Sequence, residues 1–329
     1  MTKTIINIKI GRTNLPIIKM AGQKSGPTVF VVSGIHGDET DGPKVIKTLT
    51  NKLSQTPLKR GMIYLIAQAN PWGFKSKTRL LAGRDLNRSF PGKPNGHLAE
   101  KIAYQIFNFI KKTKPTLIID LHNDWPNSLP YLLIDPPNLA KNKKAYDSAL
   151  RLAQKTGWLI VQEKSNQKEV KLLKKTLTGC CLKNNFLALV LESGDTSKFS
   201  AKGAMPAGRQ GSAPGGKKQN IQDNLTAIWR ILADLKMVRS AKANLHYQPP
   251  KKLQGKILKY CDEPKSSKSG RIKFFIRAGK MIKKNQLLTK ISNAELIAKN
   301  TGIVLGTTDN KTVKKDETII ASGLINLDF

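Results

Sequence analysis

The sequence has few cysteines, few aromatic residues and no long hydrophobic run, and each shortage excludes a class of protein. Three cysteines among 329 residues give no disulfide framework, and the adjacent pair Cys180 and Cys181 lacks the spacing of a metal knuckle. No stretch approaches the roughly 18–20 apolar residues that a membrane-spanning helix requires. The first ten residues predict a strand rather than a secretory signal, because they lack a long apolar region. We therefore expect a cytoplasmic protein that does not associate with membranes.

Acidic residues are also scarce, which leaves a formal net charge of +35. A nucleic-acid-binding protein would gather such charge into a patch or a tail. Residues 251–329 carry 17 Lys and Arg against 7 Asp and Glu, a charge density close to that of the whole chain. Aromatic residues make up only 6% of the chain, so few side chains could stack on bases. The composition argues against a specific nucleic-acid partner and favours a small anionic substrate attracted by the basic surface.

Short apolar segments alternate with helical patterns over the first two thirds of the chain. Strands are predicted at Thr28–Ser33, Met62–Ala67, Thr116–Leu121 and Phe186–Leu191, and helices at Asp41–Leu53, within His97–Lys112 (with Asn95 as a candidate cap), at Lys144–Thr156 and at Gln222–Lys236. The strand segments are rich in Val, Ile and Leu, as expected of strands that are covered on both faces. Strands alternating with helices predict an α/β sheet flanked by helices.

Two segments depart from this alternation and divide the chain. Ala204–Lys218 is rich in Gly, Pro and Ala without any periodicity, which predicts a disordered loop insertion. Tyr247–Lys252 contains two prolines and is predicted to be a linker, because short strand-like pieces separated by turn residues follow it. The sequence therefore predicts an α/β domain over residues 1–246 and a C-terminal all-β domain over residues 247–329.

Two of the four histidines directly follow apolar strand segments. His36 comes after "VFVVSGI", with Glu39 three residues further on, and His122 comes after "LIIDL". Sites in α/β sheets gather outside the carboxyl ends of strands. Two imidazoles and one carboxylate leave a fourth position open, which is typical of a catalytic zinc site. We expect one Zn²⁺ per chain, whereas His97 in a helix start and His246 in the linker are expected to be structural.

A hydrolytic zinc site also needs a base and a group that stabilises negative charge. Glu192 ends the fourth predicted strand, at the same edge as the histidines, and is a candidate general base. The loop of residues 78–92 supplies three arginines and an asparagine, namely Arg79, Arg84, Asn87 and Arg88. Guanidinium groups bind carboxylates in a bidentate manner and stabilise developing negative charge. This loop is therefore a candidate substrate-binding element.

Four motifs in this order, "GIHGDE", "RDLNRSFPG", "DLH" and "LESGD", resemble the succinylglutamate desuccinylase/aspartoacylase family of the wider zinc-carboxypeptidase superfamily. The resemblance covers Thr28–Leu235. The later stretch "IRAGKMIKKNQLLTKIS" and the residues after it are similar to the C-terminal β-domain of that family. The resemblance implies a zinc-carboxypeptidase-like mixed sheet flanked by helices, with a C-terminal lipoyl-like β module.

The resemblance also implies roles for individual residues. It implies metal ligation by His36, Glu39 and His122, catalysis by Glu192, and binding of the substrate carboxylate by Asn87 and Arg88. Either Arg79 or Arg84 would polarise the scissile carbonyl, and the motif does not decide between them. Asp120 would orient a metal ligand from the outer shell.

The sequence departs from the family pattern after His122, where Asp124 and Trp125 stand in place of a small pair of residues and are expected to reshape the pocket. Tyr247 and Tyr260 are both candidates for a tyrosine that some members place near the substrate. The expected function is zinc-dependent hydrolysis of the amide bond of a small N-acyl amino acid. The alternatives are a zinc carboxypeptidase acting on peptides or cell-wall fragments, and a non-catalytic protein that binds carboxylates or polyanions.

Overall fold

The computed structural model describes residues 2–10, 13–194, 216–240 and 244–325. The strands are β1 (Thr2–Ile10), β2 (Thr13–Ala21), β3 (Lys24–Ser33), β4 (Arg60–Ile66), β5 (Leu117–Asn123), β6 (Asn127–Ser128), β7 (Tyr131–Ile134), β8 (Leu159–Gln162), β9 (Ala188–Ser193), β10 (Ile257–Cys261), β11 (Gly270–Phe274), β12 (Met281–Ile282), β13 (Leu287–Ile291), β14 (Ala294–Ile297), β15 (Gly302–Thr307), β16 (Thr312–Val313) and β17 (Ile320–Leu324). The helices are α1 (Asp41–Gln55), α2 (Pro71–Ser76), α3 (Leu98–Thr113), α4 (Lys143–Thr156), α5 (Gln167–Leu173), α6 (Leu177–Lys183) and α7 (Gly216–Asp234).

Most of the strands join one mixed sheet, in the order β1-β2-β4-β3-β5-β9-β7-β8-β10-β17-β15-β12, with β6 paired to β15. Strands β4, β3, β5 and β9 are parallel neighbours, as are β7, β8 and β10, whereas β9 and β7 are antiparallel. Helices cover this sheet, and a second sheet in the order β14-β13-β11-β16 completes the C-terminal region. This arrangement confirms the predicted α/β fold with a C-terminal β module.

Alternating side chains divide the core into two layers. On β3, Val29 and Val31 pack into the layer that contains helices α1, α4 and α7, whereas Phe30 and Val32 pack into the layer of α3 and α6. Strand residues point alternately to the two faces of a sheet, so a continuous apolar run serves both layers. None of the helices in the described ranges is long and apolar enough to span a bilayer.

Helix α3 shows how a polar residue sets the start of an amphipathic helix. His97 is the N-cap, because its ring accepts a hydrogen bond from the backbone N–H of Ala99. Glu100 closes the capping box by accepting a hydrogen bond from the backbone N–H of His97 at 2.9 Å. The cap prediction at Asn95 was therefore wrong by two residues, and His97 is structural as expected.

The C-terminal region is joined to the main sheet rather than separated from it. Strand β10 pairs in parallel with β8, and β6 pairs with β15. In the predicted linker, the side chain of Tyr247 is fully buried, and Asp223 of α7 accepts hydrogen bonds from the backbone N–H groups of His246 and Tyr247. The domain boundary after residue 246 stays a prediction, since the sheet extends across it.

The loop insertion predicted at Ala204–Lys218 lies largely outside the described residues. Its last three residues, from Gly216, belong to α7, which begins six residues before the helix predicted at Gln222–Lys236.

Candidate functional site

The residues predicted as metal ligands come together at the carboxyl ends of two parallel strands. His36 and Glu39 follow β3 in a turn in which the Glu39 N–H donates to the His36 carbonyl, and His122 lies near the end of β5. Strands β3 and β5 are neighbours with Ser33 opposite Leu121, which sets the turn beside His122. One ligand atom from each of the three residues lies within 4.8 Å of the others, and all three side chains are buried. We call His36, Glu39 and His122 the metal group.

The Glu39 carboxylate lies between the two imidazoles. Its Oε1 is 2.6 Å from His36 Nδ1, and its Oε2 is 2.9 Å from His122 Nδ1. Burial alone would raise the pKa of Glu39, but the charges and hydrogen bonds of His122 and His36 outweigh it and lower that pKa. The lowered pKa favours the ionised form of Glu39, the form in which a carboxylate can bind a metal ion.

The Nε2 atoms of His36 and His122 each lie close to a carboxylate oxygen. His122 Nε2 lies 3.0 Å from Asp120 Oδ2, and His36 Nε2 lies 3.2 Å from Asp85 Oδ1. Such carboxylate partners fix the ring orientation of metal-binding histidines. The sequence predicted this position for Asp120 but missed Asp85, although Asp85 stands inside the quoted "RDLNR" motif. The hydrogen bond and charge of His36, followed by the charge of Arg79, outweigh burial and lower the pKa of Asp85 to about 2.

Glu192 lies beside the metal group, on the next strand of the sheet. It is in register with His122 across the parallel pair β5–β9, and both residues line the same cavity. Burial raises the pKa of Glu192 well above its ordinary value, the positive charge of His122 lowers it, and the negative charge of Asp124 adds to the rise. A carboxyl group with a strongly raised pKa in a cavity is a feature that functional sites often share.

The arginine loop brings one of its two alternative arginines to the cavity. Arg79 lines the cavity, with its guanidinium 3.5 Å from Glu39 and 3.6 Å from Asp85, whereas Arg84 is directed to Glu100 on α3. Asn87 and Arg88 also line the cavity. Asn87 Oδ1 accepts the Leu177 N–H at 2.9 Å, and Arg88 Nη1 donates to the Asn87 carbonyl at 2.8 Å. These bonds hold the loop over the metal group.

The cavity, of about 220 Å³, extends from the metal group across the face of the sheet. Beyond Glu192 it is lined by Tyr131, Leu133 and Asp135 of the β7 segment and by Glu163 just after β8. The three β7 residues alternate along the chain, so they share one face of the sheet. The sequence analysis missed them because "YLLI" and "LIVQ" are four-residue strands that it did not predict.

The structure separates the two candidate tyrosines. Tyr260 of β10 lines the cavity, whereas Tyr247 is fully buried in an apolar cluster with Leu253 and Leu258. Of the two residues expected to reshape the pocket, Asp124 lines this cavity and accepts a hydrogen bond from the Tyr131 hydroxyl at 2.9 Å, whereas Trp125 lines a neighbouring cavity.

Together the fold and the site define an α/β protein whose mixed sheet holds a buried group of two histidines and one carboxylate at the carboxyl ends of parallel strands. Residues 25–204, more than half of the chain, match the family described as succinylglutamate desuccinylase/aspartoacylase catalytic domain. The chain belongs to the succinylglutamate desuccinylase/aspartoacylase family, which confirms the resemblance of its four motifs.

Individual relatives agree with this assignment. The chain is 32% identical over 100 residues to the N-alpha-acetyl-L-2,4-diaminobutyric acid deacetylase of Halomonas elongata, a match that spans 30% of this chain and 29% of that protein. It is similar in structure to an aspartoacylase family protein from Mesorhizobium loti, with a TM-score of 0.73 and 17% identity over 99% of this chain and 95% of the other. The ectoine utilization protein from Ruegeria pomeroyi, in a product-bound structure, gives a TM-score of 0.72 and 16% identity over 98% and 95%. At these identities the structural likeness shows the fold alone.

Proposed function

We propose that the protein is a zinc-dependent hydrolase that cleaves the amide bond of a small N-acyl amino acid. The observation that carries the proposal is the convergence of the metal group and Glu192 in one cavity. Membership of a family of deacylating hydrolases supports it, as does the relative whose name describes deacetylation of an N-acetyl amino acid. A cavity of about 220 Å³ favours a small substrate over a peptide chain.

The donor set of the metal group fits zinc. Two imidazoles and one ionised carboxylate, with a fourth position open to the cavity, form the usual ligand set of a catalytic zinc site. Bound there, zinc would polarise the scissile carbonyl and lower the pKa of water. Asp120 and Asp85 would hold the two imidazoles in the tautomers that this ligation requires.

The other cavity residues have separate roles in this proposal. Glu192 takes a proton from the attacking water and delivers it to the leaving nitrogen, so that amide and water become a carboxylate and an amine. Arg79 donates hydrogen bonds to the negative charge that develops on the carbonyl oxygen. Asn87 and Arg88 bind the carboxylate of the amino acid, with Arg88 as the charged partner. Arg84 has no direct role, because it pairs with Glu100 outside this cavity.

The test incubates zinc-loaded protein and a Glu192→Gln variant with one pool of N-acyl amino acids and short peptides, with mass spectrometry of the products. We expect the wild type to deacylate amino acids, and the variant to keep zinc while losing roughly 10²–10⁴-fold in turnover. Release of C-terminal residues from peptides would instead establish the carboxypeptidase. Zinc-loaded wild type that hydrolyses nothing would leave the binding-protein alternative.

A further inference from the structure

The end of the cavity opposite the metal group carries two carboxyl groups that the proposed reaction does not use. Asp135 directly follows β7, and Glu163 directly follows β8. These strands are parallel neighbours with Ile134 opposite Gln162, so the next residue on each strand points to the same face. Both side chains line the cavity. We call Asp135 and Glu163 the acidic end.

The acidic end has no cation of its own. Among the residues that the structure describes, no Lys, Arg or His nitrogen lies within 4.0 Å of either carboxyl group. Lys164, next to Glu163 in the chain, is paired with Asp262 instead. Asp135 is only 7% exposed, and burial raises its pKa to about 7, with a further rise from the charge of Glu163. A buried carboxylate is stable only when a counter-charge or hydrogen bonds compensate it. Asp135 has a hydrogen bond with Thr178, and Glu163 accepts one from the Lys164 N–H, but within the described ranges no positive group contacts either carboxyl group.

Within the described ranges, two positive groups act on Glu163 from a distance: Lys164 and Arg88. Arg88 is exposed at the cavity and donates to the Asn87 carbonyl, so it does not neutralise the buried Asp135. A second metal ion is not favoured either. The one group of three or more potential ligand residues found close together in the described chain is the metal group.

We propose that the acidic end binds an ammonium group of the substrate, which makes the substrate a diamino acid acylated on one nitrogen. An ammonium group carries three donors and a positive charge, and it would satisfy two carboxylates on one face of the sheet. Arg88 and Asn87 at the other wall would hold the α-carboxylate, with the acyl group beside the metal group. The inference rests on the proposed hydrolase function and replaces a purely anionic substrate with one that carries both charges.

The test compares three acetylated amino acids that differ in the charge of a similar side chain: Nα-acetyl-2,4-diaminobutyrate, Nα-acetylnorvaline and Nα-acetylglutamate. We expect the kcat/KM of zinc-loaded protein for the cationic compound to exceed that for the neutral one by roughly ten- to a hundredfold, since hydrogen bonds between charged groups are strong. Asp135→Asn and Glu163→Gln should each lower this ratio by roughly tenfold. The control Asp147→Asn removes the same charge from an exposed position on α4 and should leave the ratio unchanged.

Equal or better hydrolysis of the neutral or anionic compound would overturn the acidic-end proposal and leave the hydrolase proposal standing. If no compound is hydrolysed, calorimetric titration of wild type with free 2,4-diaminobutyrate and with norvaline decides. If wild type binds diaminobutyrate more tightly than norvaline, and either variant weakens that binding, the ammonium site is supported although the hydrolase proposal fails. Equal binding would overturn the site. Thermal unfolding of both variants identifies misfolding. If Asp135→Asn does not fold, Glu163→Gln, which changes a partly exposed residue, still tests the proposal.

Discussion

The metal group and the acidic end line one cavity on one sheet, but their carboxyl groups differ in their partners and in the direction of their pKa shifts. Glu39 lies between two imidazoles and Asp85 meets His36, and the Arg79 guanidinium lies near both carboxylates as a shared positive partner. For Asp135, burial and then the negative charges of Glu163 and Asp120 raise the pKa, and the hydrogen bond with Thr178 lowers it without cancelling that rise. Lowered and raised carboxyl pKa values therefore stand in the same cavity. In the two proposals above, the metal group holds a cation permanently, whereas the acidic end receives one with the substrate.

The largest effect is expected from removing a member of the metal group, which tests whether this end of the cavity holds a metal ion. We expect His122→Ala to lose bound zinc and at least roughly 10³-fold in hydrolysis, because a catalytic zinc site usually has three protein ligands and only two would remain. His246→Ala is the matched control, since His246 is held near α7 through its backbone N–H and lies away from the cavity. Metal analysis of both purified variants provides the measurement. Full zinc occupancy in His122→Ala would show that the ligand assignment is wrong.

The two halves of the cavity also differ in how far the sequence predicts them. The strands that carry or precede His36, Glu39, His122 and Glu192 are longer than β7 and β8 and contain continuous apolar segments, which are the clearest strand signal in a parallel sheet. Their strands were predicted with ends within a few residues of those observed. Because the carboxyl ends of parallel strands meet at one edge, the convergence of these residues followed from the pattern alone.

The acidic end was not predictable in the same way. Strands β7 and β8 have four residues each, too short for a periodic pattern to distinguish them from loop. The positions of β7 beside β9 and of β8 beside β7 depend on long-range pairing, which one sequence does not encode locally. The choice between Arg79 and Arg84 also required the structure, because both lie in an irregular loop whose course is fixed by contacts such as that between Arg84 and Glu100. A signal was nevertheless present: an acidic residue directly follows each of these short apolar runs.

A second prediction sharpens the comparison through the pH dependence of stability. The folded-state pKa of Asp135 is raised from 3.8 to about 7, so between these pH values the folded protein holds a proton that the unfolded chain has lost. Stability therefore falls as pH rises through this window, by roughly 4 kcal/mol in total for this group. Asp135→Asn cannot ionise and should lose that dependence.

Denaturant unfolding of metal-free protein at several pH values between about 4 and 7 measures this effect. The free energies of unfolding of wild type and Asp135→Asn should converge or cross as pH rises. The control Asp147→Asn, exposed on α4, should follow the wild type. Parallel curves for wild type and Asp135→Asn would mean that Asp135 is ionised in the folded protein at all these pH values. The acidic end would then not differ from the metal group in the way proposed.

The prediction with the smallest expected effect concerns Asp85. It tests whether the metal group depends on a carboxylate in contact with His36 or only on negative charge nearby. Asp85→Asn should weaken zinc binding by roughly 10–100-fold, as is usual when the carboxylate partner of a ligating histidine is removed. The variant removes the charge alone, because Asp85 Oδ1 is the partner of both His36 Nε2 and the Asn87 N–H, and the amide oxygen of Asn can still accept at both contacts. Asp38→Asn is the matched control, since Asp38 is exposed, carries the same charge and lies two residues from His36. Competition with a chromophoric chelator measures both affinities. An equal loss in the two variants would reduce the role of Asp85 to negative charge anywhere near His36, whereas a loss confined to Asp85→Asn would show that the metal group depends on a charged carboxylate in contact with His36.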